Sequence, residues 1–127
     1  MYVVAVYGSS EAARQANLAA RDKGQPLGLG DTQAPVLPLA RPINGTTEWL
    51  RGYLTRVSWR HAPPMRDCYA ISGVRYRNVL MLARVDHWIS AAARGDATCQ
   101  GAHMWTTRVL TALYVRTQSY VQQHGSA

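Results

Sequence analysis

Cys68-Tyr-Ala-Ile-Ser-Gly-Val-Arg-Tyr-Arg-Asn-Val-Leu-Met-Leu-Ala-Arg-Val85 decides the fold, because two periods can be laid over it. Val79 to Val85 is apolar nearly all round, which suits a buried helix or an inner strand. Cys68 to Val74 can serve as one arm of a hairpin. The length of the stretch and the Ala91-Ala92-Ala93 tail that follows favour a helix from about Tyr76 to Arg94, closed by Gly95.

Upstream, Trp49, Leu50, Tyr53, Leu54 and Val57 recur at helical spacing, with Arg51, Arg56 and Arg60 off that stripe. Thr46 or Thr47 can cap such a helix, Glu48 suits its first turn, and Pro63-Pro64 stops it. Leu50, Leu54 and Val57 are expected in the core. At the N-terminus, Tyr2-Val-Val-Ala-Val-Tyr7 reads as a buried strand broken by Gly8. Ser9 or Ser10 then caps a helix from about Glu11 to Lys23 that ends at Gly24. Ala12, Ala16, Leu18 or Ala19, and Ala20 fall on one side of it, and its small residues allow close packing. A last helix runs from about Ala102 to Gln123, with Trp105, Val109, Ala112, Leu113 and Tyr120 on one face.

Between these parts, residues 25–45 hold three glycines and four prolines, which exclude a long helix. Pro35 to Pro42 reads as extended, in the manner of an edge strand, and its Val36, Leu37 and Leu39 argue that it packs. The expected fold is therefore α+β and helix-dominated. It has a short N-terminal strand and helix, a Pro/Gly-rich extended connection, then a layer of three helices. At 127 residues the whole chain is expected to form a single globular domain.

Net charge is +7, and 13 of the 14 basic residues are arginine. A high-GC bacterial or phage genome accounts for that bias, and guanidinium forks also grip phosphate and carboxylate. There is no Phe, yet there are seven Tyr and four Trp. Tyr, Trp and Arg dominate binding hot spots, so the composition tilts towards a binding protein. No apolar run is long enough to span a membrane, and a cytoplasmic protein is the default.

Gln25-Pro-Leu-Gly28-Leu-Gly30 resembles the Q-x-x-G-x-G motif by which acetyltransferases of the GNAT type hold acetyl-coenzyme A. In that family the motif follows a strand and opens a helix. Here it follows a helix and runs into Asp31-Thr-Gln-Ala-Pro35, so it reads as a loop. Cys99-Gln-Gly-Ala-His103 has the spacing of two ligands on one helical face, and His61 with Cys68 would complete a zinc set. No close C-x-x-C pair anchors it. The cysteines are therefore expected as two separate buried thiols, with no disulfide, metal or cofactor. Asp86-His87 and Glu48 are the remaining acid–base candidates, and neighbours in sequence do not face one another on a helix.

Arg75-Tyr76-Arg77, with Arg60, Arg66 and Arg84 near in sequence, is the densest basic-aromatic cluster. Guanidinium groups beside a stacking ring suit a nucleic-acid backbone and its bases. The leading expectation is a small, basic, non-catalytic protein associated with nucleic acid through Arg60, Arg66, Arg75, Tyr76, Arg77 and Arg84. That reading needs Arg60, Arg66, Arg75 and Arg77 on one exposed face. The alternative is a protein–protein interaction subunit or inhibitor, such as a bacteriophage accessory or structural component. It would meet an acidic protein surface as part of a larger assembly. A small enzyme is the third reading.

Overall fold

A computed structural model describes residues 1–23, 36–39, 41–54, 64–90 and 100–124, with the backbone alone at 53, 54, 89 and 90. Along these residues the order is β1 (Tyr2–Val6), α1 (Ser10–Lys23), β2 (Trp49–Leu54), β3 (Met65–Tyr76), β4 (Val79–Ser90) and α2 (Gln100–His124). The strands form one antiparallel sheet in the order β1-β4-β3-β2. α1 packs on one face of it and α2 on the other.

The expected layer of three helices is therefore replaced by a sheet with one helix on each side. The stretch from Tyr76 onward is not a helix but the turn and second arm of a long hairpin, with Tyr76 opposite Val79 and Met65 opposite Ser90. β3 and β4 are the two inner strands, and both faces are covered over Asp67–Val74 and Val79–Ala83. Leu80 and Leu82 enter the α1 side, whereas Val79, Met81 and Ala83 enter the α2 side. A strand buried on both faces loses the alternation that marks a strand in sequence. The Ala91 to Arg94 tail and Gly95, which favoured a helix, lie outside the described residues.

The same cause explains β2. Trp49 and Leu50 are each only 3% exposed, because adjacent strand residues point to opposite, covered faces. Their spacing mimics a helical stripe. Leu50 is in the core as expected, and Trp49 is equally buried. The side chains of Tyr53 and Leu54, and all of Val57, fall outside the described residues. The residues read as a helix cap serve a loop instead. The Glu48 carboxylate accepts the amides of Ile43, Asn44 and Gly45, while Asn44 Oδ1 accepts those of Thr46 and Thr47.

β1 and α1 lie where the sequence reading puts them along the chain, but β1 is an edge strand with Tyr2, Val4 and Val6 exposed and not the buried strand expected. The Ser9 hydroxyl accepts the Ala12 amide at 3.0 Å, which is the expected N-cap. The buried face of α1 is Ala13, Asn17 and Ala20; Ala12 and Ala19 are exposed. Leu37 exchanges both backbone hydrogen bonds with Leu50, and Leu39 is buried, so the short segment 36–39 is extended and covers the outer edge of β2. Residues 24–35, the glycine motif among them, lie outside the described residues.

α2 is rotated from its expected orientation. Ala102, Thr106 and Leu110 are fully buried; of the expected face, Val109 and Leu113 pack against the core, while Trp105, Ala112 and Tyr120 face solvent. Two threonines sit in the buried stripe. Thr106 Oγ1 lies 2.9 Å from Ser72 Oγ and 3.3 Å from the Ala83 carbonyl, so its hydroxyl is satisfied inside the sheet interface.

Cys68 is fully buried and disulfide-bonded, which corrects the expectation of two separate thiols. The sequence holds one other cysteine, Cys99, which lies outside the described residues.

Candidate functional site

The structure does not gather the expected arginine cluster on one surface. Arg66 and Arg75 stand at opposite ends of β3, nine residues and about 30 Å apart. Their registers, Arg66 with Ile89 and Arg75 with Leu80, place them on opposite faces of the sheet. Tyr76 and Arg77 form the hairpin tip with Arg75, whose Nη1 donates to the Arg77 carbonyl at 2.7 Å. The Tyr76 ring meets Tyr114 edge-on.

Arg84 lies on the α1 side of the sheet. It grips Asp86 at 2.8 Å and covers the ring of the buried Tyr69 at 4.2 Å. Nearby Asp67 has its carboxyl pushed above the usual carboxylate range, first by burial and then by the charge of Asp86. Arg84 is thus committed to its neighbours. Arg60 lies outside the described residues, as does His61 of the weighed zinc set. His103 packs over Gly52 and His87 over Gly101, where an added Cβ would overlap each imidazole.

A different surface combines free charge with apolar area. An open groove of about 840 Å³ runs along α2, bounded by Arg41 and Pro42 on one side and by Met104, Arg108, Ala112, Val115 and Arg116 on the helix. Residues three and four apart share a helix face, so 104, 108, 112 and 115 form one stripe. Met104 is 45% exposed and Val115 54%, an apolar floor open to solvent.

The three arginines at the rim are Arg41, Arg108 and Arg116. None forms an ion pair within the described residues. Arg108 and Arg116 are eight residues apart, about 12 Å along the helix. Arg108 lies 4.9 Å over the ring of Trp105, itself half exposed. Thr107 and Thr111 line the groove, but each hydroxyl donates to a carbonyl one turn back, His103 and Thr107. The guanidinium groups are therefore the main donors it offers.

Charge is divided between the two sides of the sheet. α2 has 25 residues and not one carboxylate. The described acids lie elsewhere and are mostly occupied. Arg14 holds Glu11 down to about 2, Arg21 lowers Asp22, Arg84 binds Asp86 and Glu48 caps its loop. Among the described residues, the α2 side is left with uncompensated positive charge.

Comparison with protein-family models, curated proteins and solved structures finds no match.

Sequence reasoning missed Arg41, Arg108 and Arg116 because it weighed density along the chain. The signal that could have found them is the absence of any acid from Gln100 to His124, on a helix with arginines two turns apart. No helix among the described residues is long and apolar enough to cross a membrane.

Proposed function

We propose that this chain is a non-catalytic binding domain whose α2 groove docks an acidic, apolar-bodied segment of a protein partner. The observation that carries the reading is the pairing of three unpaired arginines with an exposed apolar floor on a helix free of carboxylates. Carboxylates about two helical turns apart would meet Arg108 and Arg116, and Arg41 would clamp from the opposite wall. Met104, Val115 and Trp105 would take the apolar residues between them, the arrangement by which an amphipathic segment lies in a groove. A bare phosphate backbone gains little from such a floor. The Cys68 disulfide favours a location outside the reducing cytoplasm, because disulfides persist in oxidising compartments.

The test is a titration of a fluorescein-labelled amphipathic peptide of glutamate and leucine. Its controls are a lysine–leucine peptide and a single-stranded oligonucleotide of equal charge. The acidic peptide should bind with an affinity that falls as salt rises. Arg108→Glu with Arg116→Glu should weaken it by roughly tenfold or more, about 1.4 kcal/mol at least. Tighter binding of the oligonucleotide, or equal binding of both peptides, would overturn the reading.

A further inference from the structure

Among the described residues, β2 is the outer strand whose edge is covered, by the Leu37–Leu50 bridge. β1 pairs with β4 alone among the described residues, and it carries none of the usual edge protection: no charge, no proline and no bulge. Its side chains are apolar yet open, with Tyr2 61%, Val4 45% and Val6 72% exposed. An apolar groove flanks it on each face. One, of about 510 Å³, lies between Val4, Val6 and Tyr120 of α2; the other, of about 410 Å³, lies between Val3, Ala5 and Ala19 of α1.

The free hydrogen-bonding groups of β1 follow from its register. Arg84 N–H donates to the Met1 carbonyl at 2.8 Å, and the Met1 ammonium donates to the Arg84 carbonyl at 3.1 Å. Tyr7 N–H donates to the Asn78 carbonyl at 2.9 Å. In an antiparallel ladder the bonded residues alternate, so positions 1, 3, 5 and 7 face β4. Tyr2, Val4 and Val6 therefore direct their N–H and C=O groups outward. That set is symmetric about Val4.

We infer that β1 is the seam of a homodimer, in which two copies join antiparallel at a two-fold axis through Val4 and form one eight-stranded sheet. Val4 pairs with Val4 of the second copy, and Tyr2 pairs with Val6 in both directions. Every outward donor and acceptor is then satisfied, with six hydrogen bonds across the seam. Residues directly opposite share a face, so Tyr2 of one copy covers Val6 of the other on the α2 side. The strand itself carries no charged side chain, so the paired edges do not repel, while Arg116 and Lys23 line the grooves on either side of it. The covered edge of β2 stops the sheet from growing further, which closes the assembly at two copies.

Sedimentation velocity between about 1 and 300 μM is the experiment. Wild-type protein should form a dimer that tightens as NaCl is raised from about 50 to 500 mM, because salt screens the repulsion between like-charged copies. Docking of an acidic ligand weakens over the same range, so failure of one reading is distinguishable from failure of the other. Val4→Pro removes an N–H that faces outward and leaves the ladder to β4 intact, so it should be monomeric with an unchanged circular dichroism spectrum. Val4→Lys places two ammonium groups face to face at the axis and should raise the dimer dissociation constant at least tenfold, whether or not the proline variant folds. A wild-type chain that stays monomeric throughout, or a Val4→Lys chain that dimerises as the wild type does, overturns the inference.

Discussion

The indole Nε1–H of Trp49 donates to Asn17 Oδ1 at 2.8 Å, deep between α1 and the sheet. Asn17 Nδ2 in turn donates to the Thr47 carbonyl at 3.0 Å, so one amide ties helix, loop and strand together. Directly beneath, Gly73 lies opposite Trp49 in the ladder, and a Cβ there would come within 2.6 Å of the indole. The ring therefore occupies the space that a side chain on β3 would need.

Asn17→Leu leaves a buried indole N–H without its partner, which should cost about 1–3 kcal/mol. Gly73→Ala should cost about as much or more, since the 3% exposed Trp49 has little room to retreat. Urea unfolding of both variants checks this. Midpoints equal to the wild type would mean that the indole is not held as described.

Arg77, at the tip of the β3–β4 hairpin, has a φ of 53°, in the left-handed region that side-chain-bearing residues avoid. Its neighbour Asn78 is anchored through Nδ2 to the Tyr7 carbonyl at 2.7 Å, so the turn cannot easily relax. Arg77→Asn keeps every backbone contact and suits this conformation, and should add up to about 1 kcal/mol of stability. Arg77→Val should remove a similar amount. Thermal unfolding of the two variants should displace the midpoint in opposite directions.

That turn also explains what the sequence concealed. Arg77-Asn78 lacks the Asn-Gly or Asp-Gly signature of a two-residue hairpin, so nothing marked the end of β3. The apolar run on either side is two-sided because α1 and α2 cover both faces of the inner strands. β1, α1 and α2 were legible, since each keeps a local signal: β-branched residues, the Ser9 cap, and length. The candidate groove was not, because Arg41 reaches Arg108 and Arg116 only through tertiary packing. Arg75 and Arg66 show the converse. Nearness in sequence became opposite faces and opposite ends once the segment was a strand.

His103 offers a pH-dependent reading of the α2–β2 contact. Its Nε2 is buried against Gly52 without a hydrogen-bond partner, and burial lowers its pKa below 6.5. A group with a depressed folded pKa binds protons more readily when unfolded. Its contribution to stability is present above about 6.5 and is lost as pH falls from there through the folded value. Asp67 acts in the opposite sense at lower pH, because its raised pKa favours the folded state once it is protonated. Urea midpoints should therefore decline on acidification from pH 7, and His103→Gln should flatten that decline. Parallel profiles for the two proteins would show that His103 does not sense the pH.

Cys68, near the start of β3, is fully buried against the α2 side of the sheet, and its sulfur is already bonded. A disulfide restricts the unfolded chain and commonly contributes about 2–5 kcal/mol in a small domain. Dithiothreitol should lower the melting temperature of the wild type and leave that of Cys68→Ala unchanged. The oxidised wild type should resist alkylation by iodoacetamide under denaturing conditions, whereas the reduced chain should take up two labels, one for each cysteine in the sequence. The result also bears on where the protein works. A bond that forms spontaneously in air and survives a glutathione buffer of cytoplasmic poise would be compatible with either compartment. One that is reduced there, with loss of fold, would require an oxidising environment. If both cysteines of protein purified under oxidising conditions label without reductant, the bond is absent and the case for a compartment outside the cytoplasm goes with it.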